Sequence, residues 1–198
     1  HPFAKKIGFA TDYCISLKDL VFQVDERLEK LNKKFKDDFE IKKKIDLIKQ
    51  IFYTQKLLFK DKIIFNEILD KNYLTLIVSD FGIHNLIKNN DKYFFLDFEY
   101  FGWDNPITLI SNFVLHPNMN DNKKLLKKFE TEMFRLFEYI PNIKENYKTF
   151  NNFFVLRWCC IILNVIKPKN DNSLTSSDYK QSKKTQFFKL DKMLSNLN

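Results

Sequence analysis

The sequence predicts an α+β fold that is mostly helical, and three observations carry that prediction. Apolar residues recur at three- and four-residue steps over most of the 198 residues, the spacing that lines one face of a helix. One short, partly β-branched run, Leu-Thr-Leu-Ile-Val at 74–78, has the character of a buried strand and is closed by the turn-forming Ser79, Asp80 and Gly82. Two further strand-like runs, 85–88 and 93–97, flank the polar stretch Asn89, Asn90, Asp91 and Lys92, the pattern of a hairpin.

Each element follows from local chemistry. Leu17, Leu20, Val21, Val24, Leu28, Leu31 and Phe35 mark the first helix, with Ser16 and Asp19 spaced as a capping box at its start. Ile41, Ile45, Ile48, Phe52 and Phe59 mark a second, and residues 61–70 a shorter helix leading into the strand. Beyond the hairpin, Pro106 opens an apolar helix through Leu115 that His116 and Pro117 stop, which places His116 near the last carbonyls of that helix. Leu125, Phe129, Met133, Leu136, Phe137 and Ile140 line the next, and Asn142 with Glu145 caps another reaching Ile166 ahead of Pro168, with Trp158 read as core. A short polar stretch, 169–177, reads as a surface loop before a final helix over 178–197, so the sequence reads as a single domain over residues 1–198.

Composition narrows the classes of function. The hydrophobic fraction of 44% and the aromatic fraction of 16% suit a chain with a substantial core and argue against disorder. No apolar run is long enough to span a bilayer and the start lacks a signal-peptide pattern, so the default expectation is a cytoplasmic location. The three cysteines, Cys14, Cys159 and Cys160, have neither disulfide-framework nor zinc spacing and read as reduced, buried thiols. Lys and Arg exceed Asp and Glu by enough to give a net charge of +8, but Lys33, Lys34, Lys36, Lys42 to Lys44, and Lys123, Lys124, Lys127 and Lys128 are dispersed among acids on polar helix faces. That dispersal points to solvated surfaces and away from a nucleic-acid patch.

The chemistry concentrates in 79–99. Asp80 is followed five residues later by Asn85, and a second carboxylate, Asp97, lies twelve residues beyond. Phosphotransferases gather a base and a magnesium site with such a set. If the hairpin turn is centred on Asp91, antiparallel pairing sets Asn85 opposite Asp97, at about 5 Å between backbones, and two oxygen ligands converge. Magnesium takes oxygen ligands and keeps several waters, so one carboxylate and one amide suffice beside nucleotide phosphates. Asp80, on the loop just before, is placed to take a proton from a substrate hydroxyl. Asp97 ends the apolar run Tyr93, Phe94, Phe95, Leu96, where a buried carboxylate requires a partner.

The run 80–85, Asp-Phe-Gly-Ile-His-Asn, resembles the catalytic loop of the aminoglycoside phosphotransferase and choline kinase superfamily, in which a base Asp precedes a metal-binding Asn by five residues. The run 96–106, Leu-Asp-Phe-Glu-Tyr-Phe-Gly-Trp-Asp-Asn-Pro, is similar to that family's stretch after its metal Asp. The resemblance covers roughly residues 74–117. It implies the C-terminal lobe of a protein-kinase-like fold, with a small β-hairpin carrying the catalytic loop and metal ligands, ATP as phosphoryl donor, Mg2+ as cofactor and a small hydroxyl-bearing acceptor. Asp80 is then the base, Asn85 and Asp97 the magnesium ligands, and Glu99, Tyr100 and Trp103 candidate walls of an acceptor pocket. His84, beside the metal position, reads as a packing or hydrogen-bonding residue.

The chain departs from the family in three respects. Val78 and Ser79 stand where relatives carry an imidazole that braces the loop. Residues 109–112 lack the Asp that often stabilises it, with Asn112 the nearest substitute. With glycine only at 8, 82 and 102, no Gly-rich phosphate loop can be built, so the nucleotide lobe is read as absent from this chain. The alternative expectation is therefore a non-catalytic kinase-like binding or interaction module.

Overall fold

The computed structural model describes residues 3–78, 80, 82, 85–119, 122–168 and 175–197. In chain order the helices are α1 (Leu17–Lys34), α2 (Phe39–Phe59), α3 (Ile63–Asn66), α4 (Pro106–Leu115), α5 (Lys123–Leu136), α6 (Ile143–Asn164) and α7 (Ser176–Leu194). The strands are β1 (Thr75–Ile77), β2 (Leu86–Asn89), β3 (Lys92–Phe95) and β4 (Gly102–Asp104). The fold is α+β and mostly helical, as the periodicity predicts. Among the described residues, no helix is long and apolar enough to cross a membrane. The chain divides into two compact units, His1–Asp19 with Glu67–Phe150, and Leu20–Asn66 with Asn151–Asn198.

In the first unit β1 and β4 pair antiparallel, with Leu76 opposite Trp103, and β2 and β3 form the hairpin. The segment before α1 joins the small sheet: Trp103 donates its backbone N–H to Gly8 at 3.0 Å, and Ala10 donates to the Trp103 carbonyl at 3.1 Å. Gly102 permits that approach, because a Cβ there would stand 2.5 Å from the carbonyl carbon of Phe9 and 2.7 Å from Cα of Ala10. Neither β4 nor this segment is marked by a sequence signal, since three-residue pairings leave no period to read.

The turn after β1 and the helix after β4 set the frame of the site. Asp104 is fully buried, and its Oδ1 accepts the N–H groups of Cys14 at 2.7 Å and Asn105 at 2.6 Å. Asn105 then caps α4 by accepting from the Ile107 N–H at 2.9 Å, with Pro106 in the first turn. Nearly every residue of α4 is buried, Asn112 included, and Phe113 stacks on Phe129 of α5 at 3.8 Å between centroids.

In the second unit, Leu20, Val24, Leu28 and Leu31 of α1 and Ile41, Ile45, Ile48 and Phe52 of α2 are buried at the predicted helical spacing. Phe52 and Phe153 meet edge-to-face at 6.3 Å, and Phe153 meets Phe59 in the same manner at 6.0 Å. Arg157 is buried by lying over the Phe154 ring and donating to Gln23 Oε1 at 2.9 Å. Cys14, in the first unit, and Cys159 and Cys160, in the second, are buried free thiols; burial pushes Cys159 well up and Cys160 up to about 12.

Local signals hold where hydrogen bonds are short-range. Ser16 and Asp19 form the reciprocal cap, with Ser16 N–H donating to Asp19 at 2.9 Å and Asp19 N–H to Ser16 Oγ at 3.1 Å. The final helix begins at Ser176, earlier than predicted, because Thr175 and Asp178 make their own capping box. One expectation is corrected: residues 61–70 form only the single turn of α3, which buries none of its residues and so gains no packing that would extend it. Asn142 stands directly before α6, where its carbonyl accepts the Asn146 N–H at 2.8 Å, with a left-handed φ of 55°. Ser79, His84 and most of the 169–177 loop lie outside the described residues.

Candidate functional site

The site is built where β1 ends. Asp80 follows that strand in a turn, and Asn85 lies just before β2 with its N–H bonded to the Gly82 carbonyl at 3.1 Å. The Asn85 carboxamide closes the loop onto its own start, donating from Nδ2 to the Asp80 carbonyl at 3.0 Å and to Asp80 Oδ2 at 3.2 Å. An amide that donates through Nδ2 presents Oδ1 on its other limb, the oxygen a hard cation would take.

A third side chain arrives from α4. His116 terminates that helix, is only 8% exposed, and sets Nε2 3.6 Å from Asp80 Oδ1. Its Nδ1 accepts the Asn118 backbone N–H at 3.2 Å. The reading of His116 as a residue serving helix carbonyls is thus incomplete. The sequence signal was present in the His-Pro that stops an apolar helix, but which loop the imidazole faces depends on packing. This imidazole comes from thirty-six residues beyond Asp80.

The hairpin corrects the register. Asn89 pairs with Lys92 across a two-residue turn in which Asn90 takes a φ of 53°, so the centre falls between Asn90 and Asp91. Asn85 consequently faces Leu96, whose N–H donates to the Asn85 carbonyl at 2.8 Å, and not Asp97. Regular pleating would send Asp97 to the other face. Asp97 leaves the strand instead, with a left-handed φ of 60° that a short carboxylate side chain tolerates. The expectation that Asp97 is buried is also corrected: it is exposed, because the whole of β3 stands in solvent.

Tyr100 reports the electrostatic neighbourhood of these acids. Its phenol is pushed above the ordinary range, first by a hydrogen bond with Glu99 and by that carboxylate's charge, then by desolvation and by the charges of Asp97 and Asp80. The charges of Asp97 and Asp80 thus reach Tyr100, and Asn85 and His116 stand against Asp80. Trp103 stands apart from this group. Its indole N–H donates to the Ala4 carbonyl at 3.0 Å, and it lines a cleft of about 390 Å³ with Lys5 and Phe9 of the segment before α1 and with Lys71 and Leu74, which lead into β1.

For magnesium, the Asn85 amide oxygen and the Asp97 carboxylate have the right donor chemistry, and the exposure of Asp97 leaves room for the waters this ion retains. No cluster of three or more His, Cys, Asp or Glu side chains suited to a metal occurs among the described residues, so the fit rests on an amide, a carboxylate and ligands from elsewhere. Comparison with known proteins returns no matching family model, no matching curated protein and no matching solved structure.

Proposed function

We propose that this chain is the acceptor-binding and catalytic lobe of a protein-kinase-like phosphotransferase, moving the γ-phosphoryl group of ATP to a hydroxyl of a small molecule such as an amino alcohol, sugar or aminoglycoside. The observation that carries the reading is the closure of the Asp80 loop by Asn85. A carboxylate at a strand end is held by a residue whose remaining oxygen could serve a metal ion, and a second acid, Asp97, follows the hairpin. In this scheme Asp80 accepts the proton of the acceptor hydroxyl as its oxygen bonds to phosphorus, and the bond to the bridging β–γ oxygen breaks to release ADP. Asn85 and Asp97 would hold a magnesium ion, which when bound would neutralise charge on the phosphates. Glu99, beside Tyr100, gives an amine-bearing acceptor a carboxylate to pair with.

The test is ADP formation from magnesium–ATP over a panel of hydroxyl acceptors, in a full-length form that carries a nucleotide lobe, with Asp80→Asn beside the natural sequence. Loss of the base is expected to lower turnover by about 10²- to 10⁴-fold. Turnover of the variant equal to that of the natural chain rules out Asp80 as base.

One observation favours the second reading, a non-catalytic interaction module. Tyr93, Phe94, Phe95, Leu96 and Phe98 are all exposed on and beside β3, a run of apolar surface of the kind that marks contact sites. Thermal melting separates the readings. Nucleotide at 100 times its dissociation constant adds about 2.7 kcal/mol to a protein that binds it. A magnesium-dependent rise with ATP supports the kinase, and no rise in a chain that also carries a nucleotide lobe supports the module.

A further inference from the structure

We propose that His116 is a positioning residue that donates from Nε2 to Asp80 and takes no part in moving the proton. The inference rests on the reading of Asp80 as the base, and it adds which group fixes that base and in which tautomer. The first support is the second ring nitrogen. Nδ1 accepts the Asn118 N–H at 3.2 Å, so in the neutral ring Nδ1 carries the lone pair and the proton sits on Nε2. Nε2 is the nitrogen that faces Asp80 Oδ1, at 3.6 Å.

The second support is the division of the carboxylate. Asn85 donates to Oδ2 at 3.2 Å while His116 stands at Oδ1. Asn85 holds Oδ2, and a closing His116 would hold Oδ1, which together would fix the carboxylate plane. An ionised carboxylate has about four lone-pair sites, so acceptor capacity remains for a substrate hydroxyl. The 3.6 Å separation is longer than a formed hydrogen bond, and catalytic contacts of this kind commonly shorten only when substrate is bound.

The third support is what the geometry excludes. In an Asp–His pair that activates a nucleophile, one ring nitrogen binds the carboxylate and the other faces the reacting atom. Here the other nitrogen is engaged by backbone two residues away and the ring is almost wholly buried. The imidazole has no outlet for a proton, so the carboxylate, and not the histidine, faces the acceptor.

The experiment uses the whole chain labelled with ¹⁵N at histidine, with the His116 signals identified by their loss in His116→Gln. A protonated Nε2 and unprotonated Nδ1 are expected, with the Nε2 resonance moved in Asp80→Leu. The opposite tautomer, or an Nε2 resonance indifferent to Asp80→Leu, overturns the proposal. In turnover of magnesium–ATP, His116→Phe is expected to lower kcat on the order of 10²-fold with KM for ATP unchanged. His116→Gln, which restores an N–H donor, is expected to recover most of it. Equal losses in the two variants overturn the positioning role. Full activity of Asp80→Asn instead overturns the base assignment, and the ring spectra still decide the contact.

Discussion

Asn85 is bonded to Asp80 at both ends of that residue's chemistry, the backbone carbonyl at 3.0 Å and the carboxylate at 3.2 Å. One side chain thereby sets the loop's path and the direction of its acid. Asn85→Asp replaces the donor with a carboxylate facing another, and two such groups in contact resist ionising together, which raises a pKa in the folded state. Stability tied to a raised folded pKa is present at low pH and is lost as pH rises. The variant is therefore expected to melt further below the natural chain at neutral pH than in acid, and thermal midpoints at the two pH values check this. Equal deficits would show that the two side chains do not touch.

Gly102 is the point where the chain before α1 lies against β4. Gly102→Ala is expected to destabilise the first unit by about 1–3 kcal/mol, because the added methyl meets the backbone of Phe9 and Ala10, which cannot rotate aside. Urea unfolding measures the loss. A shift of Trp103 fluorescence, read in a Trp158→Phe background, would place the damage beside the indole that bonds Ala4.

Asp104 holds two backbone N–H groups in the interior, those of Cys14 and Asn105. Asp104→Leu leaves both donors without this acceptor and is expected to cost about 1–3 kcal/mol for each. Asp104→Asn keeps an acceptor oxygen and should cost less. Chemical denaturation of the pair of variants decides, and equal losses would mean that shape, not hydrogen bonding, is what the site requires.

In the second unit, Asp38 caps α2 through the Ile41 N–H at 3.0 Å and is bonded by Tyr179 of α7, with Lys183 alongside at 3.4 Å. Burial raises the Asp38 carboxyl, but the bonds from Tyr179 and Ile41 and the charge of Lys183 outweigh it, and the net shift is downward. A lowered folded pKa gives stability present above the unfolded carboxylate value of about 3.9 and lost as pH falls through the folded one. Tyr179 shifts upward, first by burial and then by its bond to Asp38, so its share is present below about 10 and lost at higher pH. Tyr179→Phe is expected to lower stability at neutral pH by about 1–2 kcal/mol and to flatten the acid limb of a urea-midpoint profile.

How much of this was legible in the sequence follows from how far apart the partners lie. The sequence by itself determined the long helices and several of their starts, because a capping pair such as Ser16 with Asp19, or Pro106 after Asn105, acts within three residues and needs nothing remote. It also determined that Asp80 sits in a turn at the end of β1 with a hairpin following, while the closure of that turn by Asn85 was seen only in the structure. Tertiary structure alone decided that Asp104 serves Cys14 ninety residues away, that β4 and the segment at Gly8 to Ala10 complete β1, and that the His116 ring faces Asp80. It also decided the hairpin register, where one residue separates an Asn85 facing Asp97 from an Asn85 facing Leu96, because a two-residue and a three-residue turn through Asn90 and Asp91 use the same residues. Short-range hydrogen bonds are written in neighbouring residues; long-range pairings are chosen by the burial that the whole chain makes possible.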